Sequence, residues 1–388
     1  MRHVIQCCVI LVLIVDLLAA ADRPWTRHTI DDGSRGADGV RVGDVNQDGR
    51  LDLVTGWEEG GQIRVCLQPP TERARMPWET ILVGKVRSPE DAVFADVNGD
   101  GWLDVVSCCE GKQQAIFFHL HPGSAAMLSA ANWKTELLAA SKGSTRWMFC
   151  EPLPDGRLIF GSKEPHAQIA IWNPRQANSL RQLRRCGWIM SLRQIDVDND
   201  GDSDVVYSDR KGNARGVGWL ENPGDATESW TDHAIGGQQD EVMFLDLVQS
   251  NADLRIVCNT KVGILDMRPA DSLTDPWPTT RIPHPPGVGS GKGIALCDVN
   301  RDGQLDLVCT CEHAEQKIGV YWLKKIDAAK LSPRDGQGWK MHDISGTTMG
   351  VKFDRIHIMD VDDDGDDDVI TCEERDNLGV IWYENPGE

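Results

Sequence analysis

The chain is poor in aromatic residues and in positive charge. Aromatics make up 6% of its 388 residues, and only 3 Tyr and 7 Phe accompany 14 Trp. Lys and Arg number 40 against 60 Asp and Glu, for a formal net charge of −20. That imbalance opposes long-range attraction to nucleic acid or to an anionic membrane surface, so no nucleic-acid partner is expected. No Ser-His-Asp signature, phosphate-cradling loop or His-Glu-x-x-His run occurs, which leaves serine-hydrolase, nucleotide and zincin chemistry without support. After the first residues no apolar stretch is long enough to cross a bilayer as a helix, so no integral span is expected in the mature chain. The 12 Cys do not read as a disulfide framework. Two precede residue 22, and most others sit inside apolar strand-like runs such as those holding Cys108, Cys309 and Cys372, where free thiols pack as small hydrophobes.

What is present begins with an address. Arg2 and His3 precede an apolar run from Val4 to Leu18, and Ala19, Ala20 and Ala21 supply the small residues of a cleavage site. Residues 1–21 therefore read as a secretory signal, residues 22–388 as the mature protein, and the location as secreted, periplasmic or cell-surface.

A repeat decides the fold class. Asp44-Val-Asn46-Gln-Asp48-Gly49-Arg-Leu-Asp52 recurs in four further copies that begin at Asp96, Asp196, Asp298 and Asp360. Degenerate copies, aligned on Glu151 and Asp246, fill the two gaps, giving seven units of about fifty residues, the period of a propeller blade. Each unit also carries an apolar strand before the Asp cluster (Val40–Gly43, Ala92–Ala95, Val242–Leu245 and Ile356–Met359), a second after it (Leu53–Gly56), and a third ending near Trp172, Trp219, Trp322 or Trp382. A fourth strand opens with Trp78, Trp133, Trp230, Trp277 or Trp339. The expectation is an all-β, seven-bladed β-propeller of four-stranded blades. Trp25 to Ile30 matches the fourth strands at Trp230 and Trp339, while the chain stops after a third strand. The N-terminal segment should therefore pair into the last blade and close the ring. His28, His233 and His342 share one offset from these Trp residues and read as framework.

In the five good copies, oxygen-bearing side chains stand at positions 1, 3, 5 and 9 with Gly at 6. The sets are Asp44, Asn46, Asp48 and Asp52; Asp96, Asn98, Asp100 and Asp104; Asp196, Asp198, Asp200 and Asp204; Asp298, Asn300, Asp302 and Asp306; and Asp360, Asp362, Asp364 and Asp368. Hard oxygen donors in this number suit Ca²⁺, at about five sites. The copies at 151 and 246 lack the set and should be metal-free. These loops resemble the FG-GAP/VCBS repeat of integrin α-subunit propellers and of many secreted bacterial proteins, across essentially the whole mature chain. The resemblance implies a calcium-bound propeller but no single activity. The family holds adhesion modules and lectin-like binders together with catalytic propellers such as polysaccharide lyases and aldos-2-ulose dehydratase.

Strand alternation places Arg41, Asp91, Arg146, Arg193, Glu241, Arg355 and His357 on one face of the innermost strands, toward the central channel. Four Arg and one His against two acids predict a positive funnel for an anionic ligand, or else an internal ring of ion pairs. Trp57, Trp147 and Trp188 remain after the strand Trp and Trp102 of the second Asp-rich loop are assigned. Trp57 and Trp188 are candidate sugar-stacking faces, and Trp147 is expected between blades. Nearby loops add Glu58, Glu59, Glu110, His166, Asp209, Arg210, Glu312, His313, Glu373 and Glu374, as candidates or as solvated surface. The functional expectation is a ligand-binding module for an anionic glycan or a partner protein. The alternative is an acidic-polysaccharide lyase or sugar dehydratase with its site in the channel mouth, with His357 as base and Arg41 and Arg355 neutralising a uronate carboxylate.

Overall fold

The computed structural model describes residues 23–176, 179–225, 229–250, 253–326 and 338–387. The expected signal segment, residues 1–21, lies outside these residues. The described chain forms seven antiparallel sheets of four strands each. Strand order within six sheets follows the chain, from the innermost strand outward, and consecutive blades pack their inner strands side by side around a channel. The innermost strands are β2 (Ala37–Gly43), β6 (Pro89–Ala95), β10 (Arg146–Pro152), β14 (Ile189–Ile195), β18 (Val242–Ser250), β22 (Ser290–Cys297) and β26 (Phe353–Met359). We number the blades 1 to 7 in this order.

The ring closes through the N-terminal segment. Strand β1 (Thr26–Asp31) pairs with β28 (Gly379–Glu384), so the seventh sheet combines both ends of the chain in the order β1-β28-β27-β26, with β27 at Asp368–Glu373. Pairing the termini leaves no half-built blade whose edges would recruit another chain. A core cluster seals the junction of blades 7 and 1, joining Ile30, Val40, Leu53 and Trp57 to Ile370, Val380 and Trp382.

The sequence repeats become packing repeats. His28, His233 and His342 stand opposite Trp382, Trp219 and Trp322 on the neighbouring strand. Each pair stacks with ring centroids 4.3–4.5 Å apart. Repetition of one cross-strand pair in three blades is what a framework role requires. The ten described cysteines are all free thiols and nine are buried, as the apolar runs around them imply.

Every innermost strand carries a β-bulge near its mouth end. One extra residue reverses the side-chain alternation beyond that point, so a single period-two pattern does not hold along the whole strand. The pairing also corrects the alignment of the two degenerate copies. Arg41 pairs with Val54, and its equivalents by register in blades 3 and 5 are Glu151 with Ile159 and Asp246 with Val257. Glu151 and Asp246 are therefore channel-lining strand residues, three positions before the turn, and not first loop residues. Their hairpins are short and lack the acidic set; blade 5 turns between Ser250 and Asp253.

Candidate functional site

With the register settled, the channel mouth resolves into two concentric layers. The bulge of each inner strand presents, from blade 1 to blade 7, Asp38, Glu90, Met148, Met190, Met243, Lys292 and Asp354. All seven line one cavity of about 220 Å³. The residue that ends or immediately follows each second strand forms the rim: Glu58, Glu110, Lys163, Arg210, Lys261, Glu312 and Glu374. Both layers are segregated by blade. Blades 6, 7, 1 and 2 contribute charged bulge residues beneath four glutamates. Blades 3, 4 and 5 contribute three methionines beneath three cations.

The acidic half is held by lysines and shared protons. Lys292 pairs with Asp354, Lys352 with Glu374, and Lys163 with Glu110. Burial, reinforced by Asp354 and Glu90, drives the Asp38 carboxyl well above its usual range. Burial opposes ionisation of Asp354, but Lys292, a hydrogen bond from Asp38 and Lys352 together outweigh it and hold the carboxyl below its usual range. Asp38 therefore keeps a proton where Asp354 is ionised, as expected for carboxyls too close to ionise together. Glu90 is likewise raised, first by burial and then by Glu110 and Glu58 against the opposing pull of Lys163. On the methionine side, half-buried Trp188 has Lys163, Arg210 and Lys211 at 4.6, 4.6 and 4.9 Å from its ring.

The structure brings some expected ligand residues together and separates others. Arg41 is buried and bridges Asp91 (3.2 and 3.0 Å) and Glu151 (3.3 Å). Burial opposes its charge, but Asp91 and Glu151 outweigh it and raise its pKa. Arg193 pairs with Asp246 at 3.1 Å. The positive funnel is thus largely neutralised from within. Arg146 and Glu241 were placed on the channel face by the misaligned copies. By register they lie beyond the bulge, where Arg146 is exposed and Glu241 holds Lys261 (3.0 Å) and Arg210 (3.4 Å). Trp57 is fully buried between blades 1 and 7 and presents no face to a ligand. Trp147 is also fully buried, as expected. Sequence reasoning missed Asp38, Glu90, Lys292 and Asp354, because the bulge shifts them onto the channel face against the period-two pattern.

Deeper in the channel, Phe149 and Phe244 meet edge to face at 5.6 Å, and the Arg355 guanidinium spans the channel to both rings. Phe244 lines both the mouth and a second cavity of about 200 Å³ beyond it. His357 lines that second chamber. Burial, then Arg41, Arg355 and Arg193, push its imidazole down to about 3, and its Nε2 has no partner. A base that weak is poorly matched to removing a proton from a sugar carbon at neutral pH.

At the opposite end of the ring, each Asp-rich loop is a tight turn ordered by its own carboxylates. Asp44 accepts from the N–H groups of Asp48 and Gly49, and Asp48 accepts from Arg50. Gly49 has φ of 89°, which explains the glycine at that position in the repeat. The closing Asp52 accepts from Val45 N–H at 3.0 Å and from Gln68 N–H at 2.9 Å, so it ties the turn to the end of the third strand. Asp104, Asp204 and Asp368 repeat this double role. The donor set fits a hard cation. In blades 4 and 7, carboxylate oxygens of Asp196, Asp198 and Asp204, and of Asp360, Asp362 and Asp368, lie within 4.8 Å of one another. In blade 6 the buried Asp306 Oδ2 has no hydrogen-bond partner.

Comparisons with known proteins agree with this architecture. The FG-GAP-like repeat family matches residues 44–107. No curated protein matches the chain. Among solved structures, a streptogramin B lyase is 10% identical over 94% of this chain and 99% of its own, with a TM-score of 0.57. The Cps50 (Swd1) β-propeller domain of Myceliophteria thermophila is 11% identical over 93% and 100%, with a TM-score of 0.56. Virginiamycin B lyase of Staphylococcus aureus is 11% identical over 92% and 97%, with a TM-score of 0.53. At such identities the likeness is one of fold. The chain is a seven-bladed β-propeller with an FG-GAP-like repeat, a scaffold generally used for ligand binding or protein interaction.

Proposed function

We propose that this protein is an exported, calcium-stabilised propeller that binds an anionic glycan or a partner protein across its polarised mouth. The observation that carries this reading is the segregation of both mouth layers by blade. A carboxylate or sulfate would take Lys163 from Glu110 and Arg210 and Lys261 from Glu241, while Met148, Met190 and Trp188 offer an apolar bed for a sugar face or side chain. Across the cavity, Glu58, Glu110, Glu312 and Glu374 supply acceptors for hydroxyl groups. One ligand bearing both kinds of group can satisfy both halves in only one orientation.

Calcium fits the five good loops, with Asp204, Asp306 and Asp368 among the oxygen donors that would hold it; its contribution there is charge neutralisation and hairpin rigidity. Export rests on residues 1–21, and mass determination of the mature N-terminus would locate cleavage before Asp22. A lyase or dehydratase using His357, Arg41 and Arg355 draws little support, because Arg41 is committed to Asp91 and Glu151 and His357 is a weak base. Titration calorimetry against uronate-bearing polysaccharides tests the binding reading. Binding should weaken at least about tenfold in Trp188→Ala and in Arg210→Gln, which remove an aromatic face and a cation. Unchanged affinity in both variants would refute the mouth as the site. Appearance of an ultraviolet-absorbing unsaturated product would favour the lyase instead.

A further inference from the structure

Beyond the Phe149–Phe244 pair the channel holds a guanidinium with no anion of its own. Arg355 projects from β26 at a level where the flanking blades 1 and 6 carry Gly39 and Gly293, so neither neighbour places a side chain beside it. Its Cζ lies 5.1 Å from the Phe149 ring and 4.9 Å from the Phe244 ring. The residue is 7% exposed, and its Nε and Nη2 have no hydrogen-bond partner. The carboxylates nearby are engaged elsewhere: Asp91 and Glu151 by Arg41, Asp246 by Arg193 and Asp354 by Lys292. A buried cation without a hydrogen-bonded counter-ion is costly, and burial, followed by repulsion from Arg41, pulls its pKa down to about 10.

The same guanidinium lines the second cavity, whose volume of about 200 Å³ equals that of about six or seven waters. Blade 6 contributes only Gly293 and Ala295 at these two levels, between Phe244 and Asp246 of blade 5 and Arg355 and His357 of blade 7. Its polar walls are Arg355, Arg193, Asp246 and His357, the last with its Nε2 unpartnered. Along the chamber walls two guanidiniums face one carboxylate and a neutral imidazole, while the adjacent Arg41–Asp91–Glu151 group adds one negative charge, so the cation left without a hydrogen-bonded anion is Arg355 itself. Arg193 keeps 36% of its side chain accessible, so the chamber communicates with solvent.

We propose that this chamber binds a small monoanion of the carboxylate class, with its oxygens on Arg355 and Arg193 and its apolar remainder against Ala295 and Phe244. The single guanidinium without a hydrogen-bonded anion matches a monoanion, whereas a dianion would be repelled by Asp246 and by the neighbouring Asp91 and Glu151. A planar carboxylate also suits the paired donors of a guanidinium. The chamber is separate from the polarised mouth, so this site stands or falls independently of the glycan reading.

The test is thermal denaturation and titration calorimetry of the full chain with sodium acetate, compared with sodium chloride and sodium sulfate at matched ionic strength. Acetate should raise Tm saturably, by about 2 °C at tenfold excess over its Kd. Calorimetric acetate binding should vanish in Ala295→Leu, which fills the chamber and leaves every charge in place, and in Arg355→Gln. If Arg355→Gln fails to fold, Ala295→Leu carries the test alone. Equal Tm in acetate and chloride, acetate binding retained in Ala295→Leu, or tighter binding of sulfate than of acetate would each overturn the proposal.

Discussion

At the scale of single residues, buried ionisable groups carry more consequence here than surface charge. Arg41 bridges two carboxylates, Asp91 being 1% exposed, inside the channel. Removing one member of such a network leaves the others uncompensated in low dielectric. Arg41→Met should therefore lower stability by about 3–5 kcal/mol in denaturant titration, and a cost below about 1 kcal/mol would show the pairs to be solvated. His119 is fully buried between Ser107 and Thr135, each at 2.9 Å, and burial pushes its imidazole down to about 3. The unfolded chain takes up that proton near the ordinary histidine pKa, while the folded protein resists it down to about 3. Stability from His119 is thus complete above about pH 6.5 and is lost as pH falls toward about 3. His119→Gln should flatten the fall in Tm between pH 6.5 and pH 4, and an unchanged slope would assign that fall to other groups.

Elements show how far pattern alone can be trusted. The blade unit of four strands, the framework His–Trp pairs and the closing strand were all legible, because each recurs at a fixed offset and repetition suppresses coincidence. Ile30 on β1 is fully buried in the cluster that joins the two ends of the chain. Ile30→Ala should cost about 2–4 kcal/mol by cavity formation, and deletion of residues 23–31 should lower Tm for the whole ring, not for one blade. Melting of that deletion at the wild-type temperature would contradict closure through β1. What pattern could not supply was the bulge. An extra residue near the mouth end of each inner strand moves Asp38, Glu90, Lys292 and Asp354 onto the channel, and no single-sequence periodicity announces which residue is extra. The same blindness misplaced Glu151 and Asp246 by three residues, since two hairpins had lost the acids that would have anchored the alignment.

For the whole molecule, the proposal that calcium stiffens five hairpins makes stability a function of free metal. Chelation with EGTA should lower Tm and restored Ca²⁺ should recover it. Four of the five closing aspartates already bind backbone N–H groups of the loop and of the third strand's end, so a partial and reversible loss is expected, not unfolding. No shift on chelation would leave these loops as metal-free acidic turns. Seventeen of the chain's 60 acidic residues stand at the donor positions of the five loops, which face the end of the ring opposite the mouth. The net charge of −20 therefore says little about what the mouth attracts.

The sequence by itself determined the blade count, the strand order, the closure and the loop donor sets. All of these depend on residues near one another in the chain, or on one arrangement repeated many times. Only the tertiary structure decided what lies in the channel. There each blade contributes a single residue per level, so neighbours are about fifty positions apart and their order around the ring is invisible along the chain. The charge division of the mouth, the neutralisation of Arg41 and the isolation of Arg355 follow from blade position and bulge register. Both are set when the seven sheets close into one ring.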